Sequence, residues 1–266
     1  MTKKKPFIYT KASLIAKLKE IATRDWIKNA RHGNHGGVGN TLEDLLGIKE
    51  NNLPIPNAAE WELKTHKIGS SSLITLLHSE PSPRAIRFVP QMLLPKYGWK
   101  HQQAGGKYSK VEKSFRQTIS GRLPSDRGFI VKIDRKERKI FISFDASKVD
   151  PRHKNWLKSV EKRIGLGELD PQPYWGFDDL EHAVGAKLLN SFFVQAEVKK
   201  TKGKELYKYS KVTMLKGFDI KCLLNAIEAG DLYVDFDART GHNHGTKFRM
   251  REAKLPELYK EVKSIL

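Results

Sequence analysis

The 266-residue sequence holds a single cysteine, Cys222, so no internal disulfide can form and the chain suits a reducing compartment. Within Ile220-Lys221-Cys222-Leu223-Leu224, that thiol reads as a core residue. No apolar run approaches the roughly 20 residues that a membrane-spanning helix needs. The start, Met1-Thr2-Lys3-Lys4-Lys5-Pro6, is basic, but Thr10 and Lys11 interrupt the apolar residues behind it, which argues against a signal peptide. The expected location is the cytoplasm, with no membrane partner. Internal repeats and low-complexity tracts are missing as well. Acidic residues are in short supply: 30 Asp and Glu face 49 Lys and Arg, leaving a net charge of +19. A surplus that large attracts polyanions, because each neutralised phosphate releases condensed counterions. Nucleic acid is the first partner class this indicates, and an anionic membrane surface the second.

What is present is a globular balance, with 39% hydrophobic and 30% charged residues. The length allows one large domain or two lobes with a sizeable core. Leu14, Ile15, Leu18, Ile21, Ala22 and Ile27 recur at helical spacing, predicting a helix over 12–30. A shorter helix over 40–46 turns Leu42, Leu45 and Leu46 inward behind an Asn40 or Thr41 cap, leaving Glu43 off the apolar stripe. Strands are expected at 61–66, 72–77, 128–133, 139–144, 191–199, 206–215 and 232–236. Helices are expected at 178–189 and 218–229, with a closing helix at 255–265. Residues 96–123 read as a basic loop, since six Lys or Arg stand against one acid between Lys100 and Arg122, interleaved with Tyr108 and Phe115. This order favours an α+β or mixed α/β fold over a doubly wound sheet.

The most informative segment is Asn57-Ala58-Ala59-Glu60-Trp61-Glu62-Leu63-Lys64. On a strand, period two puts Trp61, Leu63 and Thr65 on one face and Glu60, Glu62, Lys64 and His66 on the other. A carboxylate at Glu62 can hold Mg2+, while the ammonium of Lys64 can orient or help deprotonate a water and stabilise charge on a phosphate. The spacing alone is a modest signal, because Glu197-Val198-Lys199 repeats it. Context separates the two: only Glu62 has the turn-rich Pro54-Ile55-Pro56-Asn57 and a helix carrying Glu43 before it. Glu197 reads as a surface strand residue balancing Lys199 and Lys208.

Gly39-Asn40-Thr41-Leu42-Glu43-Asp44-Leu45-Leu46-Gly47, Glu50-Asn51-Asn52-Leu53-Pro54-Ile55-Pro56, Glu60-Trp61-Glu62-Leu63-Lys64-Thr65 and the stretch from Ser72 to Pro81 resemble the MvaI/BcnI family of type II restriction endonucleases, relatives of the mismatch-repair nickase MutH. The block from Asp235 to Arg249 resembles that family too. The resemblance implies a PD-(D/E)xK-type catalytic lobe and a recognition lobe with DNA in the cleft between them. A soft boundary near residue 85 would divide 1–85, with the nuclease motif, from 86–266. It also implies a monomer that needs no protein partner and cuts both strands of double-stranded DNA at a short site of the CC-x-GG kind. By the same resemblance Glu62 is a Mg2+ ligand, Lys64 the catalytic lysine, the Leu63 carbonyl lies near the metal, and Glu43 is the supporting acid.

One position departs from the family pattern. Asn57 stands where an aspartate is expected, and an amide offers one neutral oxygen where Mg2+ sites depend on anionic ligands. Slow cleavage or none is therefore expected. An Asp-to-Asn replacement that traps uncut DNA is the favoured explanation, ahead of a weakened natural enzyme or a member turned DNA-binding protein. For base reading, the arginine fork matches guanine O6 and N7, which favours Arg239 and Arg249 within a glycine-containing segment at 237–251. His242, His244, Lys247 and Arg251 are further DNA-binding candidates. His78 reads equally as a structural residue or as a DNA contact, and the segment as a solvated loop if the resemblance is set aside. The histidines lack the cysteine partners and spacing of zinc sites. A MutH-like nickase and a catalytically silent sequence-specific DNA-binding protein are the competing functions.

Overall fold

A computed structural model describes residues 9–29, 37–48, 58 and 60–266. Asn57, His32, His35 and the 54–57 approach lie outside the described residues. In chain order the chain forms α1 (Lys11–Ala22), β1 (Ile27–Lys28), α2 (Gly37–Leu46), β2 (Glu62–Lys67) and β3 (Ile74–His78). A π-helical segment, Val89–Tyr97, precedes β4 (Trp99–Lys100), β5 (Lys113–Ser120), β6 (Arg127–Asp134) and β7 (Lys139–Val149). Then come α3 (Lys154–Ile164), β8 (Tyr174–Gly176), α4 (Phe177–Leu188), β9 (Asn190–Thr201) and β10 (Lys204–Phe218). The chain closes with α5 (Ile220–Ala229), β11 (Leu232–Arg239), β12 (His242–Met250), a 3-10 turn over Glu252–Leu258 and β13 (Tyr259–Ser264). The fold is mixed α/β. Among the described residues no helix is long and apolar enough to cross a membrane.

The chain divides into two compact units, each discontinuous in sequence: one takes residues 1–74, 182–219 and 252–266, the other 75–181 and 220–251. The interleaving arises because the long strands β9 and β10 return late in the chain to complete the first sheet. That sheet runs β1-β10-β9-β2 with β13 also on β10, and β2 lies parallel to β9 while the other pairs are antiparallel. Helix α1 begins with a reciprocal cap: Ser13 N donates to Thr10 Oγ1 and Thr10 N donates to Ser13 Oγ. Its Leu14, Leu18 and Ile21, with Val38, Leu42 and Leu46 of α2, are buried in one core cluster with Trp61, Leu63, Phe192, Val194, Tyr207 and Tyr209. Each such side chain contributes about 1.5–3 kcal/mol when fully buried.

The second unit holds the sheet β3-β12-β11-β5-β4 and the smaller sheet β6-β7-β8. Phe115 and Phe236 of the larger sheet and Phe129 of the smaller one meet edge to face, at 5.7 and 5.5 Å between ring centres.

Several expectations need correction. Helix α1 ends at Ala22, and Ile27 lies instead on β1, paired with Tyr207. The stretch 96–123 is not an unbroken loop, since Lys113–Ser120 is β5, paired with both β4 and β11. Its alternation is real but written in polar letters: Ser114, Phe115, Gln117 and Ile119 are buried, Arg116 and Thr118 exposed. The closing helix is replaced by the 3-10 turn and β13, because the edge of β10 beyond its pairing with β1 offers backbone partners to residues 259–264. Residues 237–251 form a hairpin rather than a loop, with Gly241 at φ +70° in its turn. Cys222 is half-buried, one residue off the stripe of Leu223, Leu224 and Ile227 that α5 buries.

Candidate functional site

Trp61 and Leu63 face the helical core, as alternation requires, and Trp61 packs on Phe192 at 4.6 Å. Glu62, Lys64 and His66 point to the other face of β2, and that face is covered too: Glu62 is 3% exposed. Lys64 Nζ lies 3.0 Å from Glu62 Oε1, and Lys187 in the last turn of α4 lies 3.7 Å from the same oxygen. The other oxygen, Glu62 Oε2, is buried with no hydrogen-bond donor among the described residues. Burial, the largest influence, pulls the Lys64 ammonium below the usual lysine range; Glu62 pushes back up, Lys187 adds to the lowering and Glu43 opposes it. The repeated motif behaves differently, since Glu197 and Lys199 are both exposed and Glu197 sits opposite Lys208 on β10. Burial therefore distinguishes the two copies.

Glu43 reaches this neighbourhood because α2 is held close to β2. A Cβ on Gly39 would lie 3.0 Å from Thr65 Oγ1, so glycine permits the approach. Tyr209 Oη donates to Val38 O and Tyr9 Oη donates to Leu46 O, tying both ends of the helix. Farther along β2, His66 Nε2 is 2.9 Å from Ser72 O and Nδ1 is 2.8 Å from Glu252 Oε2, while Gln195 Nε2 donates to Glu252 Oε1. Lys187, Gln195 and Glu252 carried no local sequence signal. They arrive from distant segments: Gln195 opposite His66 through the parallel pairing of β2 with β9, Lys187 from the end of α4, and Glu252 from the 3-10 turn before β13. No group of three His, Cys, Asp or Glu side chains fit to hold a metal occurs among the described residues.

The DNA-binding candidates fall in the second unit and do not form one cluster. His242 and His244 meet edge to face at 4.2 Å near the hairpin turn, and a Cβ on Gly245 would lie 3.6 Å from His78 Cδ2. His78 is exposed at the end of β3. Arg249, seven residues along β12 from His242, is roughly 23 Å away at ordinary strand rise. One sheet face carries Arg116, Asp235, Asp237, Arg239, Lys247 and Arg249. Arg239 Nη1 is 3.2 Å from Glu112 Oε1 with its guanidinium 4.6 Å from the Tyr108 ring centre, and Arg249 Nη1 is 3.2 Å from Asp235 Oδ2. Lys247 Nζ is 3.8 Å from Asp237 Oδ2, and Arg251 Nε donates to Tyr233 Oη. These acids fix where the cationic heads point, which period-two spacing from Tyr233 to Arg239 hinted at without identifying partners.

A family model described as the MvaI/BcnI restriction endonuclease family matches residues 15–259. The chain belongs to that family. Among solved structures it is similar to a complex of restriction endonuclease MvaI with cognate DNA substrate: 28% identity, 97% of this chain and 100% of that one covered, TM-score 0.77. It is also similar to MvaI in the absence of DNA, at 28% identity, 95% and 96% coverage and TM-score 0.53. No curated protein matches. In this MvaI/BcnI member, the acidic and basic groups of β2 and the cationic sheet face are thus parts of a restriction-endonuclease fold.

Proposed function

We propose that this family member is a Mg2+-dependent type II restriction endonuclease that hydrolyses double-stranded DNA at a short G·C-containing site of the CC-x-GG kind, as a cytoplasmic monomer. The observation that carries the reading is the buried Glu62–Lys64 pair, one carboxylate oxygen held by lysines and the other without a donor among the described residues. An oxygen left bare in a buried site suits a hard cation. Glu62 and the Leu63 carbonyl would hold that ion with position 57, Glu43 supporting it, and the ion would stabilise negative charge at the scissile phosphate. Lys64, with its depressed pKa, orients the attacking water and exchanges a proton with it more readily than an ordinary lysine. Lys187 adds a second positive charge 3.7 Å from the same Glu62 oxygen. Arg239 and Arg249, aimed by Glu112 and Asp235, read bases; His78, His242, His244, Lys247 and Arg251 contribute DNA contacts.

Asn57 favours a second reading. An uncharged ligand weakens the ion site, so the chain as it stands cuts slowly or acts as a silent DNA-binding protein. Plasmid cleavage with Mg2+, run on this chain and on Asn57→Asp, decides between them. Cutting at one defined site by the aspartate form, with double-strand ends, supports the endonuclease; nicks alone would indicate a MutH-like activity. If neither form cuts while both bind DNA, the silent reading replaces it.

A further inference from the structure

The exposed Arg84 and Arg87 flank a cavity of about 250 Å3 that adjoins the hairpin through Asn243. Arg87 and Asn243 also line a larger cavity of about 410 Å3 together with Lys113, Arg239 and His242. Every arginine or lysine that the hairpin presents from Arg239 to Arg249 has a carboxylate within 4.0 Å, whereas no described acid forms an ion pair with Arg84 or Arg87. Glu80, which lines the same cavity, has both oxygens occupied by Thr246: Thr246 N donates to Oε1 and Thr246 Oγ1 to Oε2. The backbone adds an independent sign. Arg87 caps a 3-10 turn over Arg84–Ile86 at φ +50°, a left-handed position where glycine or asparagine is normally preferred. Among the described residues the other non-glycine positions with positive φ, Arg138 and Lys202, sit in the hairpin turns β6–β7 and β9–β10, where that conformation is routine. A strained position occupied by a long cation is one where the side chain has a use.

We infer that Arg84 and Arg87 form a phosphate clamp beside the recognition hairpin, gripping the DNA backbone independently of sequence. This rests on the DNA-binding reading above. Phosphate rather than base recognition follows because, among the described residues, no acid pairs with either guanidinium to fix it. Phosphate contacts tolerate such freedom, whereas bidentate base reading needs a fixed fork.

The test is DNA binding in EDTA across a salt series, using one duplex carrying a CC-x-GG site and one with that site scrambled. The variants are Arg84→Ala with Arg87→Gly, the glycine relieving the φ strain so that folding is retained, and Arg84→Lys with Arg87→Lys, keeping both charges. The first variant is expected to bind both duplexes more weakly by the same factor, with a log-log salt slope shallower by about 1.8, or about 0.9 for each lost phosphate contact. The lysine pair should restore most of that slope. An unchanged slope with the thermal melt intact, or weakening confined to the site-bearing duplex, overturns the clamp while leaving DNA binding standing. If the unaltered chain binds neither duplex, the DNA-binding reading itself falls.

Discussion

Replacing Glu62 with glutamine removes the carboxylate that lies 3.0 Å from Lys64 and 3.7 Å from Lys187. At 3.0 Å and an effective dielectric of about 20, the gross Glu62–Lys64 attraction is about 5–6 kcal/mol. Desolvation of both groups offsets much of it, so the net loss follows from the lysine left buried without its counter-ion, typically about 3–5 kcal/mol. Lys187, 26% exposed and 3.7 Å away, adds at most about 1 kcal/mol. Deprotonation limits the damage, because the Lys64 pKa is already lowered and falls further once Glu62 is gone. Between a depressed folded pKa and the ordinary lysine value the unfolded chain binds more protons, so stability from this group rises with pH. The variant's deficit is therefore largest at neutral pH and shrinks in alkaline solution. Urea unfolding at neutral and alkaline pH measures it, with cleavage by the Asn57→Asp background lost in parallel. A Glu62→Gln protein as stable as the parent at neutral pH, or one whose deficit grows with pH, would refute the picture of a carboxylate holding two lysines.

Tyr209→Phe removes the second donor to Val38 O, whose carbonyl keeps its helical partner in the first turn of α2, and should cost about 0.5–1.5 kcal/mol in chemical unfolding. Since α2 carries Glu43, cleavage in the Asn57→Asp background should drop more than unfolding alone explains at temperatures where the variant is folded. Gly98→Ala would place a Cβ 2.2 Å from Leu94 O, a backbone atom that cannot swing aside, and a Tm well below that of the parent is expected from about 1–3 kcal/mol of overpacking. An unshifted melt would mean that the π-helix end repacks freely.

The sequence by itself pointed to a polyanionic partner, through a charge of +19, and marked β2 as the bearer of the acid and lysine, because a period-two strand leaves a local imprint. It also marked the family, the apolar stripes of α1 and α2, and the strands β3, β6, β7, β9, β10 and β11, while β8 and β12 left no apolar alternation to read. Strand β5 escaped because Ser114 and Gln117 are buried polar residues whose environment comes from neighbouring strands. Strand β13 escaped because edge pairing outweighed a helical spacing. The two Glu-x-Lys copies are locally identical, and only tertiary burial separates the enclosed Glu62 from the exposed Glu197. Lys187 is 125 residues from Glu62, Glu112 is 127 from Arg239 and Glu80 is 166 from Thr246. Charge partners so far apart in the chain interact by proximity in space, and proximity is set by sheet pairing and core packing, which no local pattern encodes.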